Sequence, residues 1–471
     1  MKRVGLPIFL GVIVLSLITI ASAQSPSPRL LFSFPCNANA ICSDGYFPFS
    51  LIEGGDGNFY GAASSGGTGL NAQGTVFKIT PSGQLSVIYN FAEQPNGSLP
   101  NGAAPTSLVE GTDGFLYGTT LIDGANGQGT VFKLSKSGVI QDLHDFCSTP
   151  LCSDGANPAI IVQALDGNFY GVTGPNPAPS SVLFRISPAG TFKVLHTFDT
   201  NTQKDGTGAF GLLQATDGNF YSTTVAGSQN VLFNSVFRFA PGTGAYTILH
   251  GFNSPNVATG NLVQTASGKL FGLQTNSKLF QITTAGAYRE IGVLSARQFS
   301  DGEILLASDG NLWGDFQGGD CSDQGIVFAA TTAGSVLQNI TFDCTTVGQQ
   351  LGPMVQAADG KFYGVTFGSG VATTNSITNG TIWTIDAGLP VPGPTVVNFA
   401  PGSGKIGARI LLQGQHFVEA TAVSFNGVNA TFQVLTANYI SAIVPSGATS
   451  GVIAVTNAGG TTTSARSFTV Q

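Results

Sequence analysis

Six side chains able to donate, accept or carry a proton recur at one position of this chain: Glu53, Glu110, Gln163, Gln214, Gln264 and Gln356, with Leu306 as the seventh occupant. Each stands three residues before an Asp-Gly or Ser-Gly turn, at the end of an apolar segment such as Ser50-Leu-Ile-Glu53 or Asn261-Leu-Val-Gln264. Arranged round one axis, such groups would line a polar channel able to hold a sugar or an ion, and Glu53 and Glu110 would be candidate general acid and base. The alternative reading carries more weight. Buried amides and carboxylates must find partners, and backbone groups of the next structural unit would supply them. The chain has no Gly-x-Ser-x-Gly elbow, no His-Glu-x-x-His and no phosphate loop. The expectation is therefore binding rather than catalysis, with no cofactor and no metal.

Three other residue sets invite chemistry. His144, His196 and His250 share one position, where the first unit has Tyr89; they fall on an outer strand, too far apart for one cluster, and read as packing. Lys78, Lys133, Arg185 and Arg238 share another, and read as structural ion pairs. The six cysteines read as disulfides. Cys36 with Cys42 and Cys147 with Cys152 each end in Cys-Ser-Asp-Gly, which places both pairs at the same point of the repeat and leaves Cys321 for Cys344. Zinc would need other spacings and nearby histidines.

The elements that position these residues are repeats. Asp56-Gly-Asn-Phe-Tyr-Gly61 recurs, with variation, at Asp113, Asp166, Asp217, Ser267, Asp309 and Asp359. A strand-rich period of about 50 residues is the signature of a propeller blade, which cannot bury its faces alone. Within each unit, an apolar first strand precedes the Asp-Gly turn, whose Gly tolerates positive φ. The second strand is Asn58-Phe-Tyr-Gly61 and its copies; the third is Gly74-Thr-Val-Phe-Lys-Ile79 and its copies; the fourth ends in Phe91, Phe146, Phe198, Phe252 and so on. The seventh unit stops at Ile385 after three strands, whereas Leu30-Leu-Phe-Ser-Phe34 reads as a fourth strand with no unit of its own. The fold expected is all-β, a seven-bladed propeller closed by this N-terminal strand, in preference to a linear solenoid.

In a four-stranded meander, the 1–2 and 3–4 turns share one face, and the 2–3 and 4–1 connections share the other. The first set is short here. The second is longer and more variable, and it carries all six cysteines. Variable loops on a rigid scaffold are where binding is expected.

Composition narrows the function class. Charged residues are 9% of the chain, with 64 Gly, 34 Phe and 42% hydrophobic residues, as suits blades buried on both faces. Residues 1–23 read as a signal peptide: Lys2 and Arg3, then an apolar run to Ile20, then Ala21-Ser22-Ala23. Removing Lys2 and Arg3 from 18 basic residues leaves 16 against 25 acidic ones, a balance that repels phosphate backbones and argues against nucleic acid. No later stretch is long and apolar enough to span a bilayer. The chain is expected to be secreted or held at the cell surface.

Residues 388–393 form a Pro-rich linker between the propeller (24–387) and a segment of different pattern (394–471). Phe399-Ala-Pro-Gly-Ser-Gly404, Ile410 to Phe417, Val423-Ser-Phe-Asn-Gly427 and Val452 to Gly460 give short strands at sandwich spacing. This segment resembles an IPT/TIG domain, an immunoglobulin-like β-sandwich. The repeats, with Asp-Gly-Asn-Phe-Tyr-Gly and Gly-Thr-Val-Phe-Lys-Leu segments, resemble the GloVer tandem-repeat family of exported bacterial proteins. That resemblance implies a secreted or surface protein and supplies no catalytic residues. The expected role is binding of a glycan or an extracellular protein through the long-loop face; a polysaccharide lyase or hydrolase and a structural matrix component are the alternatives.

Overall fold

The computed structural model describes residues 26–37, 41–174, 181–198, 206, 208–224, 233–253, 258–294, 302–316, 325–343, 346–348, 350–373 and 376–471. Residues 1–23, expected to be a signal peptide, and Cys321 and Cys344, expected to pair, lie outside the described residues.

Seven four-stranded antiparallel sheets make the propeller. In blade 1 the strands are Tyr46–Glu53, Phe59–Ser65, Thr75–Ile79 and Leu85–Asn90, hydrogen-bonded in sequence order from the axis outward. Blade 7 is assembled from both ends of the domain. Leu351–Gln356, Phe362–Thr373 and Ser376–Ile385 are completed by Arg29–Pro35, which pairs antiparallel with Ser376–Ile385 in the register Leu30↔Trp383 and Phe32↔Ile382. The expected ring closure is thus present.

Each Asp-Gly turn is locked by its own sequence. In blade 1, Asp56 Oδ1 accepts from the Asn58 N–H at 3.2 Å and Oδ2 from the Tyr60 hydroxyl at 2.8 Å. The same Asp–Tyr bond joins Asp113 to Tyr117, Asp166 to Tyr170, Asp217 to Tyr221 and Asp359 to Tyr363; in blade 6, Trp313 Nε1 donates to Asp309. Blade 5 has Ser267 and Phe271 instead, so it lacks both the acceptor and the donor. In blades 1 and 2 the Gly after the Tyr is required by the neighbouring strand: a Cβ on Gly61 would lie 2.4 Å from the Phe77 ring, and one on Gly118 2.4 Å from Phe132, whereas blade 4 carries the buried Ser222 there.

Blades pack through repeated aromatic contacts. The strand-four Phe of one blade meets the strand-three aromatic of the next edge-on: Phe91 with Phe132 at 5.4 Å, Phe146 with Phe184 at 5.3 Å, Phe342 with Trp383 at 4.9 Å. Phe34 makes the same contact with Phe77 at 5.4 Å, so the closing seam is built like the others. The histidines belong to this system. His144 stacks on Phe192, His196 on Tyr246 and His250 on Tyr288, each at 3.7–3.8 Å and each on the strand-four aromatic of the next blade. Lys78 pairs with Asp56 at 3.2 Å and Lys133 with Asp113 at 2.7 Å, inside their own blades.

The C-terminal sandwich has one sheet of Thr395–Ala400, Arg409–Gln415, Tyr439–Ile443 and Phe432–Thr436. The other holds Val428–Asn429, Ala422–Phe425, Ile453–Asn457 and Gly460–Thr463. Phe399, Ile410, Leu412, Phe417, Phe425, Ile440, Ile453 and Phe468 fill the space between them.

Candidate functional site

The propeller has two mouths, and the sequence-level candidates sit at the short-turn one. Each ring residue staples its blade to the preceding blade, where the sequence reading has the next. Glu110 Oε2 accepts from the Gly55 N–H at 2.7 Å, Gln163 Oε1 from Thr112 at 2.9 Å, and Gln214 Oε1 from Leu165 at 3.0 Å. Gln264 accepts from Thr216 at 2.9 Å, Gln356 from Ser308 at 2.8 Å, and Glu53 from Ala358 at 3.0 Å across the closing seam. The donor in each case is the backbone N–H of the residue just before the turn Asp. Leu306 cannot make this bond, so the seam between blades 5 and 6 lacks it.

Glu53 and Glu110 therefore have structural tasks. Glu110 is buried and its second oxygen lies 2.5 Å from Lys136 Nζ. Burial pushes the Glu53 carboxyl up to about 7, against the lowering effect of its Ala358 hydrogen bond, with Asp359 and Glu419 raising it further. Each carboxylate holds a backbone N–H of the preceding blade, Glu110 buried and Glu53 half-buried at the edge of the domain interface.

The C-terminal domain covers this mouth. Tyr439, buried, donates from its hydroxyl to the Gln163 carbonyl at 2.8 Å. Gln413 Nε2 donates to Gln214 Oε1 and to the Tyr439 hydroxyl, both at 3.1 Å. On the linker side, Ser308 Oγ donates to the Pro390 carbonyl at 2.8 Å. Between the two domains lies a cavity of about 220 Å³, bordered by Glu53, Glu110, Gln163 and Gln214 on one side and Gln413 and Tyr439 on the other. Small-molecule sites usually run from about 300 to 1,000 Å³. The Gln163 and Gln214 amides bordering this cavity are engaged in the staples, and Gln413 Nε2 in the domain contact, while Gln413 Oε1 has no hydrogen-bond partner among the described residues; with its small volume the cavity reads as an interface gap.

The opposite, long-loop mouth is uncovered by that domain. The two described disulfides, Cys36–Cys42 and Cys147–Cys152, tie down 4–1 connections there, as the sequence spacing implies. Six exposed apolar side chains lie on this face, Ile41, Phe47, Phe49, Leu70, Ile122 and Leu151, while Phe115, Val139 and Val336 are exposed at the short-turn end. Phe49 stacks on Phe367 of blade 7 with ring centroids 4.6 Å apart. Phe47 has φ 54°, a left-handed conformation that costs a bulky residue roughly 1–3 kcal/mol. The same bulge recurs in other blades with Ala104, Asn157, Gly208 and Gln350 in that place.

A second feature of this end is an acid pair that the sequence reading missed. Asp315 is fully buried where the other blades carry Ala62, Thr119, Val172, Thr223, Leu273 and Val365. Its Oδ1 accepts from the Glu303 N–H at 3.0 Å; its Oδ2 has no hydrogen-bond partner among the described residues. Burial, and next the charge of Glu303, hold the Asp315 carboxyl well above its ordinary range, and burial brings Glu303 up to about 7. The signal was available: one Asp in an otherwise apolar or Thr column. Among the described residues no three His, Cys, Asp or Glu side chains come together as a metal site, and no helix is long and apolar enough to cross a membrane.

No curated protein matches the chain by sequence. Among solved structures, a fungal alcohol oxidase of the AA5 family, determined with copper, is similar at 13% identity over 93% of this chain and 99% of the other, with a TM-score of 0.50. The periplasmic gluconolactonase PpgL of Pseudomonas aeruginosa is similar at 18% identity over 62% of this chain and 83% of the other, with a TM-score of 0.42. The likeness to the oxidase, at 13% identity, speaks for fold alone. Family models match two segments, one over residues 25–230 and one over residues 394–470. The chain thus carries the Gloeobacter/Verrucomicrobia repeat in its propeller and an IPT/TIG domain at its C-terminal end.

Proposed function

We propose that this chain is a secreted or cell-surface interaction protein that engages a glycan or an extracellular protein through the long-loop face of its propeller. One observation carries the reading: the IPT/TIG domain sits on the short-turn mouth, held by Tyr439 and Gln413, so the long-loop mouth is the one left uncovered by it. The exposed apolar side chains on that face support it, as does the general placement of recognition in loops on a rigid scaffold. Two disulfides are in keeping with an oxidising compartment. The polysaccharide-cleaving alternative rested on Glu53 and Glu110, whose carboxylates are engaged in blade staples.

The test is capture. Purified chain, immobilised through its C-terminus, is offered a glycan array and native envelope extract, in parallel with a variant carrying Leu70→Glu and Leu151→Glu on the long-loop face. Capture by the native chain that the variant loses supports the reading. Capture of the same partner by both chains, or by neither, contradicts it.

A further inference from the structure

We infer that the inner rim of the long-loop mouth at blades 7 and 1 is a binding platform for a neutral carbohydrate, with Phe47 and Phe49 as its stacking surface and Phe367 as the support of Phe49. This rests on the proposed docking face and narrows it to one class of ligand.

The first ground is what these rings replace. At the bulge that opens the inner strand, the fold demands a left-handed residue, and blades 2, 3, 4 and 7 meet the demand with Ala104, Asn157, Gly208 and Gln350. Ala, Asn, Gly and Gln are small or polar there. Blade 1 places a phenylalanine in that conformation, 36% exposed, although neither backbone preference nor burial favours it. Two residues on, Phe49 is 40% exposed where blades 2 and 3 have Thr106 and Ala159. Two rings of one inner strand are thus presented to solvent, Phe47 beside Tyr46 with centroids 4.9 Å apart and Phe49 stacked on Phe367 at 28° between planes. The packing of the blade does not require either exposure.

The second ground is the chemistry of the surround. The described long-loop segments of blades 1, 2, 3 and 7 (41–50, 62–74, 92–106, 119–129, 147–159 and 366–373) contain no Lys and no Arg. They carry amides and hydroxyls together with four carboxylates, Asp44, Glu93, Asp123 and Asp154. Of the amides, Asn71 donates to Glu93, Asn101 to the Tyr89 hydroxyl and Asn157 to the Leu121 carbonyl. A surface without cations does not select sulfate, phosphate or uronate groups. Flat rings with an amide and hydroxyl surround match a neutral sugar: its C–H face lies on the ring, and its hydroxyls exchange hydrogen bonds with groups that both donate and accept. A protein partner would want a continuous apolar core, whereas of the remaining exposed apolar residues only Ile41 shares the segment of Phe47 and Phe49; Leu70, Ile122 and Leu151 are on separate loops.

The experiment uses the full mature chain and four neutral hexasaccharides (cellohexaose, xylohexaose, mannohexaose and maltohexaose), followed by saturation-transfer NMR and titration calorimetry, with heparin as a polyanionic control. Native chain is expected to bind at least one hexasaccharide and not heparin. Phe49→Ala is expected to lose roughly tenfold in affinity, the scale of a lost aromatic contact, whereas Phe49→Tyr keeps it within about threefold. Near-ultraviolet circular dichroism verifies folding, and Phe47→Ala supplies a second variant that leaves the Phe49–Phe367 stack intact. If no hexasaccharide binds while an envelope protein is captured through the long-loop face, the carbohydrate assignment is overturned and the docking face survives. If sugar binds with equal affinity to all variants, the platform is overturned. If nothing binds there at all, both fall.

Discussion

Phe34→Ala tests the ring closure through energetics. Phe34 belongs to a strand that comes more than 300 residues before its partner strand, yet it fills the slot that Phe91, Phe146, Phe198, Phe252 and Phe342 fill elsewhere. Its side chain is fully buried, 5.4 Å from Phe77 at 63°, and packs with Leu51, Val365 and Ile382. The matched control, Phe146, is fully buried and meets Phe184 at 5.3 Å and 63°. Truncating a buried Phe costs about 3–5 kcal/mol through lost transfer energy and the cavity left behind. Equal burial and equal contact geometry imply that Phe34→Ala and Phe146→Ala destabilise alike, each lowering the melting temperature by roughly 4–7 °C for a domain of this size. Urea and thermal unfolding followed by tryptophan fluorescence give the comparison; Trp383 stands in blade 7 beside the closing strand. A Phe34→Ala change of less than about 1 kcal/mol beside a large Phe146→Ala change would mean that Arg29–Pro35 is a dispensable edge, and the reasoning would fail.

Three further outcomes follow from single residues. Leu306→Gln should supply the staple missing between blades 5 and 6, by accepting from the backbone N–H of Ala266, and raise the urea midpoint by the equivalent of about 1 kcal/mol; an equal fall would show that the seam needs its apolar contact more. Asp315→Asn should flatten the pH dependence of stability. The carboxyls of Asp315 and Glu303 titrate higher in the fold than in the unfolded chain, so their contribution is complete below the ordinary carboxyl range and is lost as pH rises through the folded values. For Glu303, moved from 4.5 to about 7, that loss is at most about 3 kcal/mol and smaller after screening, since the side chain is only half-buried. The native chain should therefore melt lower at pH 8 than at pH 5, and the variant should show a smaller difference; identical profiles would exclude Asp315 as a cause. Tyr439→Phe removes the donor to the Gln163 carbonyl and the acceptor for Gln413, and should loosen the IPT/TIG domain by about 1–3 kcal/mol, read as faster amide exchange in Thr436–Tyr439 with the propeller core unchanged.

Much of the propeller was legible because the repeat writes its own alignment. Asp-Gly turns, the third-strand Phe and the strand-four Phe recur in step, so Leu30–Phe34 stood out as a fourth strand without a blade. Two disulfides were legible from a shared Cys-Ser-Asp-Gly, and the C-terminal sandwich from a change of period. The direction of the ring staples was not, because a repeated position faces both neighbours equally in sequence and only the handed twist of the sheet selects the preceding blade. The docking of the IPT/TIG domain was equally hidden: Tyr439 and Gln413 read as ordinary strand residues, and their partners Gln163 and Gln214 lie some 200 residues or more away. Asp315 and Phe47-Pro48-Phe49 were visible as departures within otherwise regular columns. Their meaning required knowing which end of the blade they occupy.

The placement of the IPT/TIG domain can be tested by a covalent lock. A Cβ on residue 55 would lie 3.1 Å from the Thr436 Cα and 3.0 Å from the Leu435 carbonyl oxygen, so the two backbones touch there and Gly55→Cys with Thr436→Cys places two thiols at the contact. Peptide mapping without reductant should recover the 55–436 link in high yield, and the locked chain should bind its hexasaccharide as the native chain does. A pair that stays reduced, or a lock that abolishes binding, would contradict the claim that this domain closes one mouth and leaves recognition to the other.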